Sequence, residues 1–134
     1  SYYRRVVENK RNKIIEKLID VLDLTNDPDK THKKEILGEA KKDTQFKNSI
    51  EKIKDGIPET LYLQGQNPFT LLHSPLSEGL HGKSDEECLE WATDIRTILV
   101  GFVERLNYVL QDDNKMTEAI NRLTNRNNKD FPKS

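Results

Sequence analysis

The chain predicts an all-α fold, an antiparallel bundle of four main helices plus a short helix around residues 69–81, and three observations carry that reading. Apolar residues recur at three- and four-residue intervals through most of the sequence, with none of the alternation that marks a strand. Only five prolines and six glycines punctuate 134 residues. Apolar and charged residues each make up 34%, the balance of helices that bury one stripe and solvate a charged outer face.

The first helix spans residues 2 to about 24: Val7, Ile14, Leu18 and Leu22 form one stripe, flanked by Val6, Ile15, Ile19 and Val21. Thr25-Asn26-Asp27-Pro28-Asp29 is a turn, because Asn, Asp and Pro each favour leaving the helix. A second helix is expected from about Thr31 to Gly56 on Ile36, Leu37, Ala40, Phe46, Ile50, Ile53 and Ile57, with a weak point at Lys42-Asp43-Thr44. Gly56 and Pro58 end it in the expected order. Residues 58–68 read as a loop after a short turn at Leu61-Tyr62-Leu63. Within it, Glu59 to Gly65 matches the recognition pattern of tobacco etch virus protease. The short helix over 69–81 carries Phe69, Leu72, Leu76 and Leu80, interrupted at Pro75.

Ser84 stands where an N-cap belongs and Glu87 follows three residues later, the capping-box spacing. Asp85, Glu86 and Glu87 place negative charge at the positive end of the helix dipole. Leu89, Ala92, Ile95, Leu99, Phe102, Leu106 and Val109 then trace one apolar face, and Trp91, Ile98, Val103 and Leu110 widen it. A face that broad predicts a central helix, touched on two sides and ending near Gln111 at the polar Asp112-Asp113-Asn114. Met116, Ala119, Ile120 and Leu123 support a final short helix, and residues 125–134 read as a frayed polar tail. Residues 1–134 thus form one helical domain, and the helical pattern beginning at the first residue points to a domain of a longer polypeptide.

No run approaches the roughly 20 apolar residues of a membrane span, so no membrane partner is expected. A lone cysteine, Cys88, cannot form an internal disulfide, which favours a reducing, cytoplasmic compartment. The formal charge of −1 hides an asymmetry: residues 1–55 carry +3, 56–112 carry −6 and 113–134 carry +2. Arg4, Arg5, Lys10, Arg11, Lys13 and Lys17 load the first helix with positive charge. Such a strip suits phosphate contacts, which makes RNA a candidate partner. It equally suits a solvated face or pairing with the acidic middle segment.

Chemistry-bearing residues concentrate between His73 and Cys88. No phosphate-binding glycine loop and no cysteine pair for zinc occurs, so no cofactor or metal is expected. Ser77 precedes His81 by four residues, within side-chain reach on a helix, but an activated serine needs an orienting acid and an oxyanion hole, and nothing nearby supplies both. Gly79 and Gly82 flank His81 and let the chain turn before Ser84.

The pattern Leu76-Ser77-x-Gly79-Leu80-His81-Gly82-x-Ser84-x-Glu86-Glu87, leading into a long apolar-striped helix, resembles the C-terminal half of HEPN-type helical domains over residues 69–106. The resemblance implies an all-α, commonly dimeric bundle of bacterial defence and toxin–antitoxin proteins. Many members are metal-independent ribonucleases, with an arginine followed, after four to six intervening residues, by a catalytic histidine. That signature is absent: positions 74–76 before His81 are Ser74, Pro75 and Leu76. Of the resemblance, only His81 and its turn carry over, and Arg96 stands about three turns into the next helix. The expected function is a non-catalytic interaction or dimerisation module, forming a homodimer or docking another domain of the parent protein. The alternatives are a ribonuclease or RNA-binding effector using His81, Ser77 and Arg96, and a ligand pocket lined by His73, Ser77, His81 and Trp91.

Overall fold

The computed structural model describes residues 2–78 and 82–130, apart from the side chains of Tyr3, Arg4, Ser74, Leu76, Ser77, Glu78, Lys129 and Asp130. Among the described residues five helices follow one another: α1 (Tyr2–Leu24), α2 (Lys30–Lys42), α3 (Phe46–Asp55), α4 (Pro68–Glu78) and α5 (Asp85–Asp130). A 3₁₀ turn, Glu59–Leu61, lies between α3 and α4. Among the described residues no strand forms; the single bridge, Leu63 to Gln66, closes a tight turn. The all-α bundle is as the periodicity predicts, but the helices are divided differently.

The core forms around α1. Ile15, Leu18, Val21 and Leu22 are fully buried and meet Leu37 and Ala40 of α2, Ile53 at the end of α3, Ile57, Leu61, and Phe102 and Leu106 of α5. Phe69 of α4 packs edge-on against Phe102 with ring centroids 5.4 Å apart, a favourable aromatic geometry. Ile14, expected in the stripe of α1, is instead 39% exposed, because the buried face is centred one residue further along.

The helix expected from Thr31 to Gly56 is two helices, α2 and α3, folded back at Asp43-Thr44-Gln45. Asp43 takes extended backbone angles, and its carboxylate accepts the Gln45 N–H at 2.9 Å, an Asx turn that competes with helix continuation. Ser49, fully buried on α3, donates its hydroxyl to the Ala40 carbonyl at 2.8 Å. The hairpin apposes the two helices and holds Leu37 against Gly56. A Cβ at position 56 would lie 2.6 Å from Leu37 Cγ, so only glycine allows this approach.

α5 departs furthest from expectation. It does not stop near Gln111: the separate helix at 116–123 and the first six residues of the anticipated polar tail are parts of one 46-residue helix. Asp112-Asp113-Asn114 are weak helix formers but contain neither Gly nor Pro, and polarity alone does not end a helix. At 1.5 Å per residue the helix is roughly 70 Å long. Nor is α5 central. Ile95, Ile98, Phe102, Leu106, Val109 and Leu110 turn to the bundle, but Leu89, Leu99, Val100 and Val103 are 69%, 41%, 46% and 47% exposed. The second side expected to be covered is exposed among the described residues.

Candidate functional site

The junction between α4 and α5 is assembled from local signals. Pro68 opens α4, where a missing N–H costs nothing. Asn67 accepts the Phe69 N–H through Oδ1 at 3.0 Å and donates through Nδ2 to the Lys54 carbonyl at 2.8 Å, tying α4 to the end of α3. Gly82 has φ +76°, the left-handed region that glycine enters without penalty. At the start of α5 the Glu87 N–H donates to Ser84 Oγ at 3.1 Å, and the Ser84 hydroxyl donates to Glu87 Oε1 at 3.2 Å. Half of the capping box is therefore as the spacing predicts. The Glu87 carboxylate engages the serine hydroxyl, and no bond from it to the Ser84 backbone N–H accompanies this. Lys83 reaches over the Trp91 ring, 4.8 Å from its centroid, and stands 4.0 Å from Glu87.

Gly79 and His81 lie outside the described residues, as does the Ser77 side chain. The other histidines do not gather at the junction. His73 pairs with Glu51 of α3, Nε2 to Oε1 at 2.7 Å, with both side chains more than 40% exposed. That bond, together with one from Lys54, holds the Glu51 carboxyl below its ordinary range. His32 is exposed on the first turn of α2. Among the described residues no three His, Cys, Asp or Glu side chains converge as a metal site would require. Arg96 is exposed on α5.

Trp91 does line a groove, of about 270 Å³, but its neighbours there are Leu71, Leu72, Pro75, Asp94, Ile95 and Ile98. His73, expected beside Trp91, is not part of it. The groove is an apolar cleft between α4 and α5.

The basic strip of α1 separates into two kinds of residue. Arg5, Lys10, Lys13 and Lys17 are exposed; the Arg4 side chain lies outside the described residues. Arg11 is 8% exposed and is not available to a phosphate. Its guanidinium donates to the carbonyls of Asp43 at 3.0 Å and Lys41 at 3.1 Å, and its Nε–H to Asn12 Oδ1 at 3.2 Å. It satisfies carbonyls that the end of α2 leaves without partners, and places a cation at the negative end of that helix.

A second buried ionic node joins the turn after α1 to α2 and the 3₁₀ turn. The Asp27 carboxylate, 1% exposed, accepts the Glu59 N–H at 2.8 Å, the Asp29 N–H at 2.9 Å and Lys33 Nζ at 3.0 Å. Burial pushes its carboxyl up, but the two backbone donors and Lys33 outweigh it and leave the group below its ordinary value. Lys33 also lies 5.7 Å from the Tyr62 ring centroid. Lys33 six residues after Asp27 is a weak sequence signal; the Glu59 contact spans 32 residues and has none.

Among the described residues, α5 carries a run of exposed apolar side chains. Beyond the bundle, Met116, Ile120 and Leu123 are 58%, 55% and 61% exposed. They continue the face that buries Phe102, Leu106 and Val109, since 102, 109, 116, 120 and 123 all fall within about 60° around a helix of 3.6 residues per turn. Fold and surface together define a helical bundle bearing an extended helix with two uncovered apolar faces. Compared with protein-family models, curated proteins and solved structures, the chain matches none.

Proposed function

We propose that this chain is a non-catalytic association module whose working surface is α5. The observation that carries the reading is the exposure of seven large apolar residues on one helix: Leu89, Leu99, Val100, Val103, Met116, Ile120 and Leu123. Scattered apolar residues are ordinary on a surface, whereas contiguous rows mark contact sites. Leu89, Leu99, Val100 and Val103 share one face, set off from Phe102 by roughly 60–160° around the helix. A partner laid along that face would complete the two-sided burial that its residue pattern specifies.

The HEPN-like pattern over residues 69–106 supports a bacterial, defence-related setting for such a module, and the single cysteine supports a cytoplasmic one. In this reading the α4–α5 junction, with Gly82, Ser84 and Glu87, serves to aim α5, and His81 has no arginine partner at the family's spacing. Size-exclusion chromatography with light scattering tests the module: association that weakens when Val103 or Leu99 becomes Glu is expected. RNA incubated with the wild type and with His81→Ala should stay intact in both; cleavage lost in the variant would replace this reading with the ribonuclease one.

A further inference from the structure

Resting on that reading, we infer that the occupant of the C-terminal half of α5 is the same segment of a second copy of this chain, paired antiparallel. Three observations point to this partner and this direction. First, residues 111–130 are helical and largely exposed. Met116, Ile120 and Leu123 are each more than half exposed, and an ion pair within the segment, Glu118 to Arg122, is 4.0 Å long and about 70% exposed on both sides. The segment contains Asn114, Asn121, Asn125, Asn127 and Asn128, poor helix formers. Helices of such composition take their stability from packing of an apolar face.

Second, the charge of the segment is polarised along its length. Residues 112–118 carry Asp112, Asp113 and Glu118 against Lys115, a net −2. Residues 119–130 carry Arg122, Arg126 and Lys129 against Asp130, a net +2. Parallel pairing in register would set Asp112 and Asp113 against their own copies, and the basic end against itself. Antiparallel pairing sets the acidic half of each copy against the basic half of the other. Charges flanking an apolar seam choose partner and direction in this way.

Third, the apolar row is nearly symmetric about Ala119 and Ile120. Met116 then meets the second copy's Leu123, Leu123 meets its Met116, and Ile120 lies near its own mate across a two-fold axis. A self-complementary surface of this kind generates a closed dimer. Ala119, small and at the centre, permits the helices to approach closely. Arms of about 28 Å bury less area than a permanent interface requires, so the dimer is expected to form and dissociate with concentration.

The test uses the full chain. Sedimentation velocity over a concentration series should show a species of twice 15.6 kDa that grows with concentration, and Ile120→Glu should weaken it at least tenfold. Ile120 is 55% exposed, so the variant's thermal unfolding should match the wild type. Direction is read in a Cys88→Ser background. Asp112→Cys and Arg126→Cys chains should form a disulfide-linked dimer when mixed and almost none separately, and Ala119→Cys should link to itself. Self-linking of Asp112→Cys overturns the antiparallel arrangement. A dimer untouched by Ile120→Glu overturns the assignment to this segment while leaving the module reading in force through another face. A wild type that stays monomeric at every concentration overturns self-pairing, and leaves the module reading to rest on a different protein.

Discussion

Replacing Arg11 with Ala separates two accounts of the basic first helix. If Arg11 is structural, its loss leaves the carbonyls of Lys41 and Asp43, now 3.1 and 3.0 Å from the guanidinium, without their donor. A hydrogen bond to a charged group contributes about 1.5–3 kcal/mol. Both carbonyl-bearing residues are half-buried, so water recovers part of that, and the two bonds together contribute about 2–3 kcal/mol. The cation at the end of α2 adds about 0.3–1 kcal/mol. The expected loss is about 3 kcal/mol, which for a domain of this size lowers Tm by roughly 10 °C. Exposed Lys10 and Lys13 serve as controls, their alanine variants shifting stability by less than about 0.5 kcal/mol. Thermal and urea unfolding followed by circular dichroism supplies the numbers, and RNA mobility shift supplies the counter-test. An Arg11→Ala chain with wild-type Tm and weakened RNA binding would refute the structural role.

Further outcomes follow from other contacts. Gly56→Ala forces a methyl to 2.6 Å from Leu37 Cγ, and since Leu37 is fully buried the variant should lose about 1–3 kcal/mol in urea unfolding. The Asp27 carboxyl is held below its ordinary value, so its contribution is complete above the unfolded value of about 4. That contribution is lost as pH falls through the lower folded value. Wild-type Tm should therefore drop steeply on acidification, more gently in Asp27→Asn, which at neutral pH should already be about 2–4 kcal/mol less stable. The protease-recognition pattern at 59–65 is folded into a 3₁₀ turn with Leu61 fully buried and a tight turn with Gln64 at φ 50° and Gly65 at φ 80°. Native chain should resist tobacco etch virus protease, and Gly56→Ala should be cut faster in proportion to its unfolded population.

What the sequence made legible was local. The Ser84–Glu87 cap, the Gly56–Pro58 stop and the stripe of α1 are set by neighbours three or four residues apart, and they stand nearly as periodicity predicts. The break at Asp43 was visible only as a weakness, because Arg11, 32 residues away, and Ser49 are what make the hairpin favourable. α5 runs past the expected stop at Asp112-Asp113-Asn114 because polar residues alone do not end a helix; only a breaker or a competing contact does. Its second apolar face, expected to be covered within the chain's own bundle, is exposed; periodicity states that a face is apolar, not what covers it. At the junction, the histidines looked alike in sequence. Pairing His73 with Glu51 depends on how α4 lies against α3, which no spacing encodes.

Amide hydrogen exchange across residues 111–130, measured at rising protein concentration, tests most directly whether α5 is an association surface. Protection should be slight in dilute solution and should climb in step with the dimer fraction, most strongly around Ile120. Exchange in this segment that is equally fast at all concentrations, while the α1 core stays protected, would contradict the account.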